Sequence, residues 1–312
     1  MDVVILGRIG YDLCSEEPHV PLAQVRRFSR YLGGSSANIA VGLARLGLRV
    51  GMVSCLGTDP LSQFLADFLH QEGVDTSRVK RVPGLLPSLA LTEVSPPDRF
   101  PQVFYRQDPA DAHLEAEPED LDYVAGARMF LTNGTALCAS PSRESAYRAL
   151  ERAHAAGRRV AFDVDYRWMS WRRPEEAGLA SRLALPLVDV LLANEAELEL
   201  VAGLEGYERA LEALRRRVPL VVAKLGERGT RVCQGEQDFF LPPYRVQVVS
   251  TIGAGDGFAA GFLYALLAGK PLEECLHYGN AAAAVVVSRL SCSEAMPTPA
   301  EIEQLIAERR TG

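Results

Sequence analysis

Residues 250–258 read Ser250-Thr251-Ile252-Gly253-Ala254-Gly255-Asp256-Gly257-Phe258 and run without a break into a helical pattern reaching Leu267. The glycines at 253 and 255 let the chain turn tightly and leave backbone N–H groups bare at the helix entry. Those donors, with the positive end of the helix dipole, suit a transferring phosphoryl group. Asp256 stands in the first turn, where the helix end favours its ionised form. From there a carboxylate takes the proton of a substrate hydroxyl while the amides hold the phosphoryl charge. Taken alone, the stretch also reads as a glycine-rich strand-to-helix turn with a capping aspartate. Its surroundings decide between the two.

Outward from this turn the chain alternates buried strands with helices. Val3-Val4-Ile5-Leu6-Gly7 is an apolar run closed by glycine, as in a parallel strand covered on both faces. Residues 36–47 then read as a helix with Ile39, Leu43 and Leu46 on one face. Further strands are expected at 50–56, 160–164, 188–193 and 220–224, and helices at 61–73, 143–156, 195–202 and 206–217. This alternation predicts an α/β fold, a doubly wound sheet flanked by helices.

Two segments, 11–32 and 86–108, break the rhythm. They carry short alternating runs, residues 88–94 and 102–106, on either side of the turn signal Pro96-Pro97-Asp98. They are expected to form a small inserted β-sheet that acts as a lid. Residues 1–10, 33–85 and 109–312 then make up the α/β nucleotide-binding and catalytic domain.

With 312 residues, 48% of them hydrophobic, the chain can bury a large core without disulfides or a structural metal. Its 33 Lys+Arg against 40 Asp+Glu give a net charge of −7, with no dense basic run, which argues against a general nucleic-acid binder. A small anionic substrate stays open, because a few arginines in one cleft override the global sign. The six cysteines show no zinc-ligand spacing and read as thiols in a reducing compartment. The first residues lack a basic segment and a long apolar one, and no run approaches membrane-spanning length. A cytoplasmic protein without membrane or nucleic-acid partners is expected.

Four motifs now line up in order. Gly33-Gly34-Ser35-Ser36-Ala37-Asn38 leads into the first helix. Asn194-Glu195-Ala196-Glu197 has an N-x-x-E pattern and Lys224-Leu225-Gly226-Glu227-Arg228-Gly229 a K-x-G-x-x-G pattern; Gly253-Ala254-Gly255-Asp256 completes the set. Together they resemble the signatures of the ribokinase-like (PfkB) carbohydrate kinases across about the whole chain. Walker A, protein-kinase and dinucleotide-binding fingerprints are missing.

The resemblance implies roles residue by residue. Asp256 matches the catalytic base, with Gly253, Ala254 and Gly255 as its anion hole. Asp12, Gly33, Gly34 and Asn38 match the sugar side. Asn194, Lys224, Gly226, Gly229 and Asn280 match the nucleotide side, and Glu197 the water shell of a magnesium ion. ATP and Mg2+ are the implied cofactors. Ser250 stands where the family often has an aspartate that shapes a monovalent-cation site, so potassium activation stays open.

Arg106, after Phe104-Tyr105, and Arg167, in Asp163-Val164-Asp165-Tyr166-Arg167, suit the carboxylate of a sugar acid, since a guanidinium grips it with two parallel bonds. These stretches and the tail Cys292-Ser293-Glu294-Ala295-Met296-Pro297-Thr298 resemble the 5-dehydro-2-deoxygluconokinases of inositol catabolism, which would place Tyr105, Arg106 and Arg167 on the substrate. The 2-dehydro-3-deoxygluconate kinases are the neighbouring alternative. A non-catalytic sugar- or nucleotide-binding regulator would be marked by loss of the base or the glycines, and all are intact. Trp168 and Trp171 read equally as pocket wall or core. Apolar residues on both faces of the lid runs, among them Leu89, Leu91, Val103 and Tyr105, predict a homodimer joined through the lid.

Overall fold

The computed structural model describes residues 1–96 and 99–311, so Pro97 and Asp98 of the expected turn lie outside the described residues. The strands in chain order are β1 (Val3–Leu6), β2 (Gly10–Ser15), β3 (Phe28–Gly33), β4 (Val50–Leu56), β5 (Asp75–Arg81), β6 (Ser88–Thr92) and β7 (Gln102–Tyr105). They continue as β8 (Met129–Asn133), β9 (Arg159–Asp163), β10 (Val190–Asn194), β11 (Leu220–Lys224), β12 (Thr230–Gln234) and β13 (Gln237–Leu241). One sheet runs β13-β12-β11-β10-β9-β8-β1-β4-β5. From β11 to β5 every pairing is parallel, while β12 and β13 extend the sheet as an antiparallel hairpin.

Side chains alternate across a strand, and here both faces are covered. Val3 and Ile5 of β1 enter one core cluster, with Phe258 and Phe262 of the Ala254–Leu267 helix. Val4 and Leu6 enter the other, with Phe130, Phe162 and Leu150 of the Ser142–Ala155 helix. The sheet is thus sandwiched between two helical layers, as the apolar runs predict. Strand β8, in the middle of the sheet, lies outside those runs, as do β5 and the hairpin β12–β13, which form the two edges.

The second sheet, β3-β2-β6-β7, is built from the two segments that break the alternation. β2 pairs antiparallel with β3 and parallel with β6, and β6 pairs antiparallel with β7. It begins just after β1, and its strand β3 ends at Gly33, next to the Ser35–Arg45 helix. This short connection carries one face of the small sheet over the end of the main one.

Candidate active site

Asp256 lies in the first turn of the Ala254–Leu267 helix, whose N-cap Gly253 has φ +83°. That backbone favours glycine, and a Cβ there would also press on Cys292. The aspartate is fixed from the opposite helix: Ser35 Oγ donates to Oδ1 at 2.7 Å and Asn38 Nδ2 to Oδ2 at 2.8 Å. Burial pushes its carboxyl above the ordinary aspartate value, and Asp165 adds to this; the bonds from Asn38 and Ser35 and the charge of Arg167 pull back. The result is a carboxylate held in one orientation and readier than usual to take a proton.

Two cavities meet at this residue. The smaller is lined by Arg8, Asp12, Gly34, Asn38 and Arg167, and by Ser88, Ala90, Gln102 and Phe104 of the small sheet. The second, about 500 Å³, is lined by Asp163, Asp165, Asn194, Glu197, Lys224, Gly226 and Gly255. Ser35, Gln102, Arg167, Gly253 and Asp256 border both. Asp12 closes the small cavity, its carboxyl pushed up to about 6, chiefly by burial, against the pull of Arg8. Gly33 makes room for it, since a Cβ on Gly33 would collide with the Asp12 carboxylate.

The larger cavity carries its own charge network. Lys224 Nζ, at the end of β11, sits 2.8 and 2.9 Å from the two Asp163 oxygens. Burial pushes the Asp163 carboxyl up and the Lys224 charge draws it down. Asn194 and Glu197 form a capping box on the Glu195–Ala202 helix. Glu197 also accepts from the Tyr166 amide at 2.8 Å, so two backbone donors orient its carboxylate. A larger cavity, about 1020 Å³, lies at the opposite edge of the sheet, beside Arg159, Val190 and Leu220 at the strand starts. It contains none of the expected residues.

Some expected residues do not reach the cleft. Gln102 and Phe104 face the small cavity, so the pleat turns Tyr105 outward, where it is 62% exposed. Arg106 is gripped on both prongs by Asp111, at 2.9 and 2.6 Å, with its side chain 4% exposed. Gly229 packs against the Leu241 carbonyl. Asn280 uses its amide on Thr230 and on the carbonyls of Leu241 and Pro242, which ties the chain after β13 to the Leu272–Val287 helix. Trp168 is exposed, whereas Trp171 packs against the second core cluster.

Arg8 and Ser35 were not singled out from the sequence. Ser35 lies inside the Gly33–Asn38 motif, whose loop-to-helix reading would have found it. Arg8 follows β1 in a short connection, and its burial is the signal that marks it.

A match to the pfkB family carbohydrate kinase model spans residues 1–299. The chain belongs to this family. The kinase is 37% identical to the 5-dehydro-2-deoxygluconokinase of Geobacillus kaustophilus, over 100% of this chain and 95% of that protein. It is equally 37% identical to the enzyme of that name in Bacillus subtilis, over 98% of this chain and 95% of that one. Among solved structures, a Vibrio cholerae fructokinase with fructose, ADP and calcium bound superposes with a TM-score of 0.87 at 26% identity, covering 98% of this chain and 99% of that one. A Xylella fastidiosa fructokinase with bound ATP gives a TM-score of 0.87 at 26% identity over 99% of both chains. No helix among the described residues is long and apolar enough to cross a membrane.

Proposed function

We propose that this kinase transfers the γ-phosphoryl group of ATP to a hydroxyl of the sugar acid 5-dehydro-2-deoxygluconate, a step of inositol breakdown. The observation that carries the reading is Asp256, fixed by Ser35 and Asn38 at the point where the two cavities meet. Full-length similarity to two 5-dehydro-2-deoxygluconokinases supports the substrate.

The sugar occupies the small cavity between Asp12, Asn38 and the face of the small sheet, and ATP the larger one. Asp256 accepts the hydroxyl proton as the oxygen bonds to the γ-phosphorus and the bond to the β-phosphate bridge breaks, releasing ADP. The amides of Gly253, Ala254 and Gly255 receive the negative charge of the transferring group at the helix N-terminus. Lys224, beside Gly255 and held by Asp163, brings a cation to the same place. Asn194 and Gly226 border the phosphate side, and Gly229 and Asn280 shape the wall behind it.

Magnesium is the proposed divalent cation. Asp163, Asp165 and Glu197 line the nucleotide cavity with the hard oxygens this ion takes through its water shell. Bound with ATP, it would neutralise phosphate charge. The small sheet acts as the lid, and its closure would keep water from competing as acceptor. Two copies would join through the outer face of that lid.

ADP release with a panel of keto-deoxy sugar acids, neutral sugars and nucleosides tests the reading. The highest kcat/KM is expected with 5-dehydro-2-deoxygluconate. Preference for fructose or a nucleoside would overturn it.

A further inference from the structure

Arg8 is 6% exposed and lines the small cavity beside Asp12 and Arg167. Its Nε is buried without a hydrogen-bond partner. Asp165 and Asp111, both engaged elsewhere, and Asp12, whose carboxyl burial pushes up to about 6, act on it electrostatically, but among the described residues none forms an ion pair with it. Asp165 sits 2.7 Å from Arg167 and Asp111 2.6 Å from Arg106. Burial, and then the nearby charges of Arg106 and Arg167, disfavour its charged form. A guanidinium nevertheless stays protonated in proteins, so this is a buried cation with no carboxylate in direct contact among the described residues. Such a group is costly to keep unless something pairs with it. The cavity it faces is where the substrate is placed.

We propose that Arg8 is the residue that pairs with the carboxylate of the sugar acid, and that Arg106 is not. The inference rests on the substrate reading above and adds the group that selects an acid over a neutral sugar. Arg106 cannot serve, because both prongs of its fork already grip Asp111 and it borders neither cavity. Arg167 faces both cavities and is held by Asp165, which suits it to the approaching phosphate as much as to the sugar. Arg8 borders the sugar cavity and not the nucleotide cavity, so its charge acts on the acceptor. A substrate carboxylate would give the guanidinium a direct ion-pair partner and accept the unsatisfied Nε–H.

The test compares 5-dehydro-2-deoxygluconate with its carboxamide counterpart, in wild type and in Arg8→Gln and Arg8→Lys. Wild type is expected to prefer the acid. In Arg8→Gln the KM for the acid should rise on the order of 10²-fold, far more than that for the amide, so the acid-to-amide ratio of kcat/KM collapses while the KM for ATP stays little changed. Arg8→Lys keeps the charge but loses the fork, and should fall between. The melting temperature of unliganded Arg8→Gln should match or exceed wild type, while the stabilisation given by the acid should vanish. An acid-to-amide ratio unchanged in Arg8→Gln would overturn the proposal. So would failure of both variants to fold, which would make Arg8 structural. If wild type itself ignores every sugar acid, the substrate reading has failed instead, and wild-type kinetics alone reveal it.

Discussion

On the proposed mechanism the chemistry turns on two carboxyls with different tasks. Asp256→Asn keeps the bonding geometry towards Ser35 but removes the base, so kcat should fall on the order of 10²–10⁴-fold while ATP affinity holds. Isothermal titration with ATP and steady-state rates check the two halves separately, and an unchanged kcat would reject Asp256 as base. Both carboxyls titrate above an ordinary aspartate, chiefly because they are buried. Since the base must be ionised, kcat/KM should decline on the acid side well before the aspartate range of about 4. Asp12, at about 6, sets the upper part of that limb. Asp12→Asn should therefore raise the KM for the sugar and move the limb to lower pH. The sign for stability is opposite. A carboxyl whose pKa is raised on folding weakens the fold above that pKa, and the penalty fades as pH drops through about 6 towards 4. Asp12→Asn should melt higher than wild type at pH 7 and lose that advantage near pH 4. At this scale the sequence is legible where a motif couples residue type to backbone geometry, as at Gly253–Asp256 and Gly33–Asn38. It is illegible where orientation decides. Phe104-Tyr105-Arg106 shows no register by itself, and the pleat sends Phe104 inward, Tyr105 outward and Arg106 to Asp111.

The elements show why the turn proposed as the anion hole is a rigid piece. Gly253 is strained for any other residue by its φ of +83° and by the nearness of Cys292. Gly253→Ala should cost about 1–3 kcal/mol and lower both the melting temperature and kcat, because the amides it caps must shift. Calorimetry and rates on the one variant give both numbers. The strands that the periodicity reveals, β1, β4, β9, β10 and β11, are buried on both faces. Strand β8, equally buried, is missed because its apolar run is only Met129-Phe130-Leu131 before Thr132 and Asn133. Strand β5, Asp75–Arg81, escapes because it is an edge, where one side needs no apolar partner and charges are tolerated. Strand β13 escapes for the same reason, with exposed or half-exposed residues through most of its length. Strand β12, paired on both sides, escapes because polar Thr230, Arg231 and Gln234 interrupt its short run. Edges carry little of the pattern that a buried strand must have.

At the scale of the whole molecule the small sheet has two unlike faces. Asp12, Ala90 and Phe104 pair in register across the face that lines the small cavity. On the other face Leu13, Leu91 and Val103 stand in one row, and Tyr11, Leu89 and Tyr105 in the next. Val103 is 46% exposed, and with Tyr105 it leaves one end of this apolar face open along the edge strand β7. Tyr11 is buried and Leu13 and Leu89 pack on the first core cluster, so the open part is the Val103–Tyr105 end at the edge strand. A second copy seated there would bury that apolar end and the strand edge together. Light scattering at micromolar concentration should accordingly give twice the chain mass. A charge placed in the row, as in Val103→Glu, should return a monomer. Leu179→Glu provides the contrast: this residue is 55% exposed on the Pro174–Ala184 helix, away from the small sheet, and its variant should stay dimeric. If the lid is held by its partner, the monomeric Val103→Glu variant should also show a raised KM for the sugar with ATP affinity unaltered. A wild type that scatters as a single chain with and without ligands would remove the dimer, and the apolar rows would then have to be covered by the chain's own movement.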